Sequence, residues 1–239
     1  MDHPVALVTG STSGIGAAIA RRLARDGFHV VVHSGRSPEA GERLAGELGG
    51  SYVRADLSDA DTALATVTRA LDELGRLDVL VNNAGVSRPI PHADLDAATP
   101  QTWRDVLEVN LVSPFALTTA AAPYLRAARG CVVNVTSHAG VRPKGSSIPY
   151  AASKAALNHV TRLLAVALGP DVRVNAVAPG LVDTPLTADW TEAQELWRER
   201  SPMRRAASPE DVAGLVADLV ASEYLTGEVV LLDGGLNLL

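Results

Sequence analysis

A glycine-rich turn between an apolar strand and a helix constrains the fold of this chain more than any other feature. The run Val5–Val8 leads into Thr9-Gly10-Ser11-Thr12-Ser13-Gly14-Ile15-Gly16, and an alanine-rich helical segment follows over 17–26. Glycines permit positive φ angles and close backbone approach, and a helix start offers N–H groups to an anion. No Gly-Lys-Ser/Thr follows the glycines, which excludes a Walker phosphate loop, and their G-x-x-x-G-x-G spacing differs from the strict G-x-G-x-x-G pattern. The turn predicts a pyrophosphate site, with a turn needed only for packing as the alternative.

The rest of the chain alternates between strand-like and helix-like segments. Strands are predicted at 5–9, 28–33, 51–54, 77–82, 131–136, 172–178 and 228–232. Capping residues mark helix starts at Thr99-Pro100, at Ser208-Pro209 and at Thr191, where Gln194 completes a capping box. The alternation predicts an α/β fold, a Rossmann-type doubly wound parallel sheet of about seven strands with helices on both faces. Its ligand is expected at the carboxyl ends of the strands.

Length and composition predict a single domain over 1–239. The chain is 47% hydrophobic and shows no linker or internal repeat, which suits one well-filled core. A net charge of -6 argues against nucleic-acid or anionic-membrane partners. The lone Cys131 excludes an internal disulfide and is expected in the core. With no signal peptide or membrane span recognised, a cytoplasmic protein is expected; no metal site is expected.

Tyr150 and Lys154 lie four residues apart in a segment of helical period, and Lys154 is one of only two lysines. Residues at that spacing share a helix face. An ammonium ~4.5 Å from the phenol, at an effective dielectric of ~20, favours the phenolate by roughly 3 to 4 kcal/mol. That corresponds to about two to three pKa units and would bring the phenol near the working range of a general acid/base. A helical pair without function has the same spacing.

Further motifs follow the predicted strands: Asn82-Asn83-Ala84-Gly85, Asn110, Ser137 and Asn175-Ala176-Val177-Ala178-Pro179-Gly180. Together with the glycine turn and the Tyr150/Lys154 pair, they resemble the short-chain dehydrogenase/reductase family over nearly the whole chain. The resemblance implies that Tyr150 exchanges the substrate proton and that Ser137 orients the carbonyl. It also implies that Lys154 binds the nicotinamide ribose and that Asn110 holds a water in a proton relay.

The chemistry of carbonyl reduction is consistent with these roles. A phenol and a hydroxyl aimed at one oxygen stabilise the negative charge that develops there. Asn110 is a poor helix former, and Pro114 cannot donate an N–H to its carbonyl, which could therefore accept from water. Taken singly, Ser137 could be an ordinary turn serine, and Asn110 could mark a tolerated kink.

The end of the second predicted strand favours NADP(H) over NAD(H). A Rossmann site for NAD carries an acid about 20 residues after the glycines, whereas His33-Ser34-Gly35-Arg36-Ser37 contains none. Arg36 can receive a 2′-phosphate, although a solvated loop arginine is the alternative. Asp56 resembles the family's adenine-contacting aspartate, with a cap of the helix near Ser58 as the alternative. The predicted cofactor-binding residues are Gly10, Ser11, Thr12, Ser13, Gly14, Ile15, Gly16, Ser34, Arg36, Ser37, Asp56, Leu57, Asn83, Ala84, Gly85, Tyr150, Lys154, Pro179, Gly180, Val182 and Thr184.

The segment 181–206 resembles the family's mobile lid over the substrate. Its residues Leu186, Trp190, Trp197 and Met203 are candidates for an apolar pocket wall. The substrate is expected to be a small-molecule carbonyl or secondary alcohol, and a similarity to 3-oxoacyl-thioester reductases suggests a 3-oxoacyl thioester. An acidic acyl carrier would need a basic patch, for which the candidates are Arg88, Arg126, Arg129, Arg142 and Lys144.

Two other functions remain open at this point. One is reduction of a C=N or pterin-type substrate on the same scaffold. The other is a non-catalytic NADP-binding sensor, which the intact set of Asn110, Ser137, Tyr150 and Lys154 argues against.

The C-terminus predicts association. A strand at 228–232 is followed by Leu236, Leu238 and Leu239, and an edge strand with leucines invites pairing. The resemblance implies a homotetramer of 222 symmetry in which strand and tail meet their copies. Leucines folded back onto their own subunit are the alternative.

Overall fold

A parallel seven-stranded sheet forms the centre of the protein, whose computed structural model describes residues 3–185 and 187–238. Its strands are β1 (Val5–Val8), β2 (His29–Ser34), β3 (Ser51–Arg54), β4 (Val79–Asn82), β5 (Cys131–Val135), β6 (Arg173–Pro179) and β7 (Val229–Leu232). They lie in the order β3-β2-β1-β4-β5-β6-β7. The predicted fold class and all seven strands are confirmed, with ends that differ by at most two residues.

Helices cover both faces of the sheet. They are α1 (Gly14–Arg25), α2 (Pro38–Leu48), α3 (Ala60–Leu74), α4 (Pro100–Leu107), α5 (Ser113–Ala128), α6 (Ile148–Leu168), α7 (Thr191–Arg200) and α8 (Pro209–Ala221). Thr99 and Ser208 cap α4 and α8 as predicted. The predicted Thr191 cap is wrong, because Trp190 occupies the capping position and the Gln194 amide donates to the Thr187 carbonyl.

Two apolar cores lie on opposite faces of the sheet. Helices α1, α2 and α8 pack on one face, and α3, α5 and α6 pack on the other. The central strands β1, β4 and β5 are buried at every position. This is the burial expected of parallel strands covered on both sides. Cys131 lies in this core as predicted, and burial raises the pKa of its thiol to about 11.

The continuous helical stretch Pro100–Ala128 contains one π turn, Glu108–Val112, between α4 and α5. It is 29 residues long and, by length and composition alone, apolar enough to cross a membrane. Sequence inspection recognised no such span. Half of its most apolar window is buried inside the protein, however, and α5 contributes to the core beneath it. Its apolar character is accounted for by this packing.

The strand order reverses direction at β1, whose neighbours are β2 and β4. At such a reversal, adjacent loops diverge and leave a crevice outside the carboxyl ends of the strands. The glycine turn, Asn83, Ser137 and Gly180 follow β1, β4, β5 and β6 directly. The sheet therefore brings these predicted site residues to one edge, as expected.

Candidate active site

The glycine turn between β1 and α1 forms a backbone cradle. Gly10 and Gly14 have φ angles of 62° and 52°, a region that favours glycine. A Cβ at Gly16 would lie 2.3 Å from the Gly10 carbonyl oxygen and 2.5 Å from the Asn83 amide nitrogen. Ser13 makes no side-chain cap, and the first turn of α1 holds no acid. The helix start therefore offers its N–H groups to an external anion, which fits a dinucleotide pyrophosphate.

A buried histidine that sequence reasoning missed holds this turn. The Gly10 N–H donates to Nδ1 of His33 at 3.0 Å, and Nε2 lies 3.0 Å from the Ala55 carbonyl oxygen. Because Nδ1 accepts, Nε2 is the donor and the ring is neutral. Burial lowers the pKa of His33 to about 4, which keeps it neutral. In the sequence, the only indication of this role is that a polar residue interrupts the valine-rich second strand.

Asn83 clamps the same turn from β4. Its side-chain Nδ2 donates to the carbonyls of Thr9 and Gly10, at 2.9 and 3.1 Å. The Thr9 hydroxyl accepts from the main-chain N–H groups of Asn83 and Ala84, both at 3.0 Å. Asn83 thus fixes the backbone of the glycine turn. Gly85 lies close to Lys154, since a Cβ at residue 85 would lie 3.4 Å from Lys154 Nζ.

The end of β2 places the predicted phosphate-binding residues in two environments. Arg36 and Ser37 are exposed. Ser34 is buried, and its hydroxyl lies 2.9 Å from the Tyr52 hydroxyl. The guanidinium of Arg36 is therefore the principal group that this strand end offers to an anion.

Asp56 follows β3 beside this strand end. Its Oδ1 accepts from the N–H and the hydroxyl of Ser58, at 3.0 and 2.8 Å, and these bonds lower its pKa, with a smaller effect from the charge of Arg36. It does not cap α3, because Asp59 occupies that position. Leu57 is buried between them. An aspartate held this way keeps its carboxylate charged and exposed at the end of β3.

Tyr150, Ser137 and Lys154 come together at the centre of the crevice. Ser137 follows β5, and its hydroxyl faces the Tyr150 phenol and lowers the pKa of that phenol. Lys154 is buried one helical turn further along α6, with Nζ 5.9 Å from the centroid of the Tyr150 ring. Its ammonium donates to the Val135 carbonyl at 3.0 Å. The spacing of residues 150 and 154 thus produces the predicted neighbours.

The predicted lowering of the phenol pKa is wrong for this structure. Burial raises the pKa of Tyr150, and the hydrogen bond from Ser137 offsets only part of that rise. Burial also lowers the pKa of Lys154 to about 8. Desolvation, which the sequence argument left out, thus penalises both charged forms. Tyr150 is consequently protonated at neutral pH, the state that a proton donor requires.

Asn110 lies fully buried in the π turn. Its Oδ1 accepts from the Val86 N–H at 2.8 Å, and its Nδ2 donates to the Val86 carbonyl and the Ser153 hydroxyl, both at 3.0 Å. The side chain therefore positions the loop after β4. The predicted irregularity is present, because the Ser113 N–H bonds five residues back to Glu108. Pro114 has no N–H to donate to the main-chain carbonyl of Asn110, and the role of this carbonyl in a water relay stays a prediction.

A buried chain of polar side chains connects the sheet to α6. Asn82 Nδ2 donates to Asn134 Oδ1 at 2.9 Å and to the Thr118 hydroxyl at 3.2 Å. Asn134 Nδ2 in turn donates to the Thr161 hydroxyl at 2.9 Å. These residues belong to β4, β5, α5 and α6. Sequence reasoning missed three of them, because their partners lie at least 27 positions away.

A cavity of about 550 Å³ joins these parts. Tyr150, Ser137 and Lys154 line one side, and Ile15 with Asn83 lines the side of the glycine turn. The segment 181–206 contributes Trp190 and Trp197 as predicted, together with Leu196. Met203 is 61% exposed and does not line the cavity. Leu186 lies outside the described residues.

The segment after β6 closes the cavity against the glycine turn. Pro179, Gly180, Val182 and Thr184 all line it. A Cβ on Gly180 would lie 2.8 Å from Cζ2 of Trp197, so glycine is required there, and Thr184 packs beside Gly14. These predicted residues therefore line the cavity between the glycine turn and the helix α7.

His138, a residue that the sequence did not single out, forms another wall. Its ring meets that of Trp197 edge to face, with centroids 6.1 Å apart. Nε2 lies 3.5 Å from Asp233 Oδ2. Burial lowers the pKa of His138 despite the opposing effect of that carboxylate. His138 thus links the loop after β5 to the segment 181–206 and to the end of β7.

Comparison with known proteins identifies the family. A family model described as "Enoyl-(Acyl carrier protein) reductase" matches residues 10–237. The chain is 53% identical, over 100% of its length and 98% of the relative, to "Granaticin polyketide synthase putative ketoacyl reductase 2" of Streptomyces violaceoruber. It is 37% identical, over 99% of its length and 98% of the relative, to the 3-oxoacyl-(acyl-carrier-protein) reductase of Thermotoga maritima.

Solved structures agree with these sequence relatives. A short chain dehydrogenase from Burkholderia cenocepacia, crystallised in complex with NADP, matches with a TM-score of 0.90 at 36% identity, covering 98% of both chains. The chain belongs to the short-chain dehydrogenase/reductase family. It is an oxidoreductase of that type and a homologue of ketoacyl reductases.

Proposed function

We propose that the protein reduces a 3-oxoacyl thioester, or a closely related ketone, to the secondary alcohol with NADPH. The observation that carries this proposal is one cavity with a proton-donating cluster, Ser137, Tyr150 and Lys154, on one side and the glycine cradle on the other. A carbonyl placed there meets a hydride donor and a proton donor together. Two relatives, a ketoacyl reductase and a 3-oxoacyl-(acyl-carrier-protein) reductase by name, support this substrate class.

The chain's own residues account for the proton side of the reaction. Bound NADPH would supply the hydride to the carbonyl carbon. As the C=O π electrons move onto oxygen, the O–H bond of Tyr150 breaks and the alcohol O–H bond forms. The Ser137 hydroxyl donates to the same oxygen and stabilises its developing charge. Lys154 stabilises the phenolate that remains, and the Asn110 carbonyl holds the water from which the proton is replaced.

The choice of NADPH rests on the end of β2. Arg36 is exposed there, and a guanidinium binds a phosphate through paired, charge-assisted hydrogen bonds. The residues 33–37 contain no carboxylate to accept from a ribose hydroxyl. A related dehydrogenase of known structure holds NADP, in agreement with this choice.

A substrate panel tests the proposal. NADPH absorbance is followed with simple ketones, 3-oxoacyl thioesters of N-acetylcysteamine and coenzyme A, and quinones, with NADH in parallel. We expect turnover of 3-oxoacyl thioesters with NADPH, at a kcat/KM well above that for unrelated ketones. Turnover confined to quinones or to C=N substrates would contradict the assigned substrate class.

A further inference from the structure

A second cavity, also about 550 Å³, adjoins the catalytic one. It lies between the loop after β5, the end of α7 and the C-terminal turn Leu236–Leu238. His138, Lys144 and Leu196 line both cavities. The two cavities therefore share one wall.

The lining of this second cavity, called the basic groove below, carries a surplus of positive charge. Four cationic side chains line it, Arg142, Lys144, Arg200 and Arg204, against the single carboxylate of Glu199 among the described lining residues. In residues 3–185 and 187–238, no carboxylate lies within ion-pair distance of any of these four groups. The chain as a whole has a net charge of -6. A concave basic site on such a protein concentrates anions locally.

Arg142 is held in place on the groove wall. Its Nη2 donates to the Asn237 carbonyl at 2.8 Å, and its Nε donates to the side-chain oxygen of the same residue. The Asn237 N–H donates to Asp233 Oδ2 at 2.7 Å, so the C-terminal turn is fixed as well. An arginine fixed in this way loses less entropy on binding a ligand than a free surface arginine does.

Arg204, on the wall of the basic groove opposite Arg142, has a fixed backbone conformation. Its φ angle is 55°, in the left-handed region that non-glycine residues seldom adopt. Neighbouring backbone contacts impose this conformation: the Arg204 N–H donates to the Ser201 carbonyl at 2.9 Å, and the Met203 N–H donates to the Gly234 carbonyl at 3.1 Å. Backbone strain of this kind is concentrated at ligand sites. The guanidinium also donates to the Glu199 carbonyl, which directs it along the end of α7.

We infer that the basic groove binds the phosphate of the pantetheine arm that carries the acyl thioester, an inference that rests on the proposed function. The thioester end of the arm lies in the catalytic cavity, and the phosphate lies among Arg142, Arg200 and Arg204. Planar guanidinium groups bind phosphate oxygens in pairs, which makes them suited to this anion. The same phosphate is present on coenzyme A and on carrier-protein thioesters, so the groove recognises either source.

The groove also refines the earlier expectation of a basic patch. Of the five cationic candidates named from the sequence, Arg142 and Lys144 line the groove, and Arg88 forms an ion pair with Asp105 instead. Arg200 and Arg204 were not candidates, because only the fold brings the end of α7 against the loop after β5.

The experiment compares substrates with and without the phosphate. The double variant Arg200→Gln/Arg204→Gln is assayed with 3-oxobutyryl thioesters of coenzyme A, 4′-phosphopantetheine and N-acetylcysteamine. The control is Arg69→Gln/Arg198→Gln, which removes equal charge from exposed positions outside the groove. We expect KM for the two phosphate-bearing thioesters to rise by about tenfold in the groove variant, as for loss of a charge-assisted pair. KM for the N-acetylcysteamine thioester, and kcat for all three, should stay unchanged.

Other outcomes overturn the inference. An equal rise in KM for the N-acetylcysteamine thioester would show that the groove does not bind the phosphate. A rise confined to the coenzyme A thioester would assign the effect to its nucleotide part. Should the double variant fail to fold, Arg200→Glu alone, at an exposed helix end, provides the same comparison.

A binding measurement separates this inference from the proposed function. If no thioester is turned over, calorimetry compares 4′-phosphopantetheine with pantetheine on the wild-type protein and on the groove variant. Tighter wild-type binding of the phosphorylated compound, lost in the variant, supports the groove even though the substrate assignment has failed. Equal affinities for the two compounds overturn the groove proposal.

Discussion

At the scale of single residues, desolvation determines the chemistry of the catalytic pair. Tyr150 and Lys154 are both shifted toward their neutral forms by burial. The Lys154 ammonium donates to a main-chain carbonyl and not to a carboxylate. No opposite charge therefore offsets the lowering of its pKa by burial. The phenol is therefore poised to give a proton, and the charge state of Lys154 becomes the variable that pH controls.

The Lys154 pKa predicts the pH dependence of reduction. Since burial lowers the pKa to about 8, the ammonium is charged near neutral pH and loses its charge as pH rises through that value. We expect kcat for ketone reduction at saturating NADPH to be constant near neutral pH and to fall above pH about 8. A stopped-flow pH profile measures it. A rate that stays level up to the onset of alkaline unfolding would contradict this account of Lys154.

Arg36 allows a prediction about the cofactor. In Arg36→Ala the 2′-phosphate loses its charge-assisted partner, so KM for NADPH should rise by about tenfold or more while KM for NADH stays the same. Steady-state assays with both cofactors measure this, and Arg43→Ala on the exposed side of α2 is the control. Better use of NADH than NADPH by the wild-type protein would refute the interpretation.

At the scale of the elements, buried polar side chains connect the sheet to α6. Asn134 stands between Asn82 on β4 and Thr161 on α6. In Asn134→Leu both partners lose a buried hydrogen bond, and stability should fall by about 2 to 4 kcal/mol. Urea unfolding measures the change. Thr119→Val is the control, since its hydroxyl is exposed and bonds only within α5; an equally small effect of both substitutions would argue against a role for the polar chain.

Local sequence patterns were sufficient to predict the strands and several of the residues that meet at the candidate site. The strands, the glycine turn, the caps at Thr99 and Ser208 and the juxtaposition of residues 150 and 154 all depend on neighbours in sequence. His33 and His138 were missed, because their roles depend on Ala55, Asp233 and Trp197, which only the folded chain brings near. The direction of the Tyr150 pKa shift was wrong for the same reason, since burial cannot be read from a spacing.

At the scale of the whole molecule, exposed apolar side chains support the proposal that the chain associates, for which the family resemblance implies a homotetramer. Val166 on α6 is 84% exposed and Leu238 in the C-terminal turn is 80% exposed, while β7 is only half-buried; Leu239 lies outside the described residues. Charged substitutions, Val166→Glu and Leu238→Glu, should lower the molar mass measured by light scattering or make the melting temperature depend on concentration. A monomeric wild-type protein would refute the assembly proposal and leave the catalytic one intact.

The central claim, that Tyr150 is the proton donor in an NADPH-dependent ketone reduction, has one most direct test. NADPH consumption with a 3-oxoacyl thioester is measured for wild type and Tyr150→Phe, with NADPH affinity determined by fluorescence titration. The substitution removes the phenolic proton and keeps the ring, so kcat should fall by a factor of about 100 or more while the NADPH affinity stays within a few-fold. A Tyr150→Phe enzyme that retains more than about a tenth of wild-type kcat, with unchanged substrate range, would contradict the account.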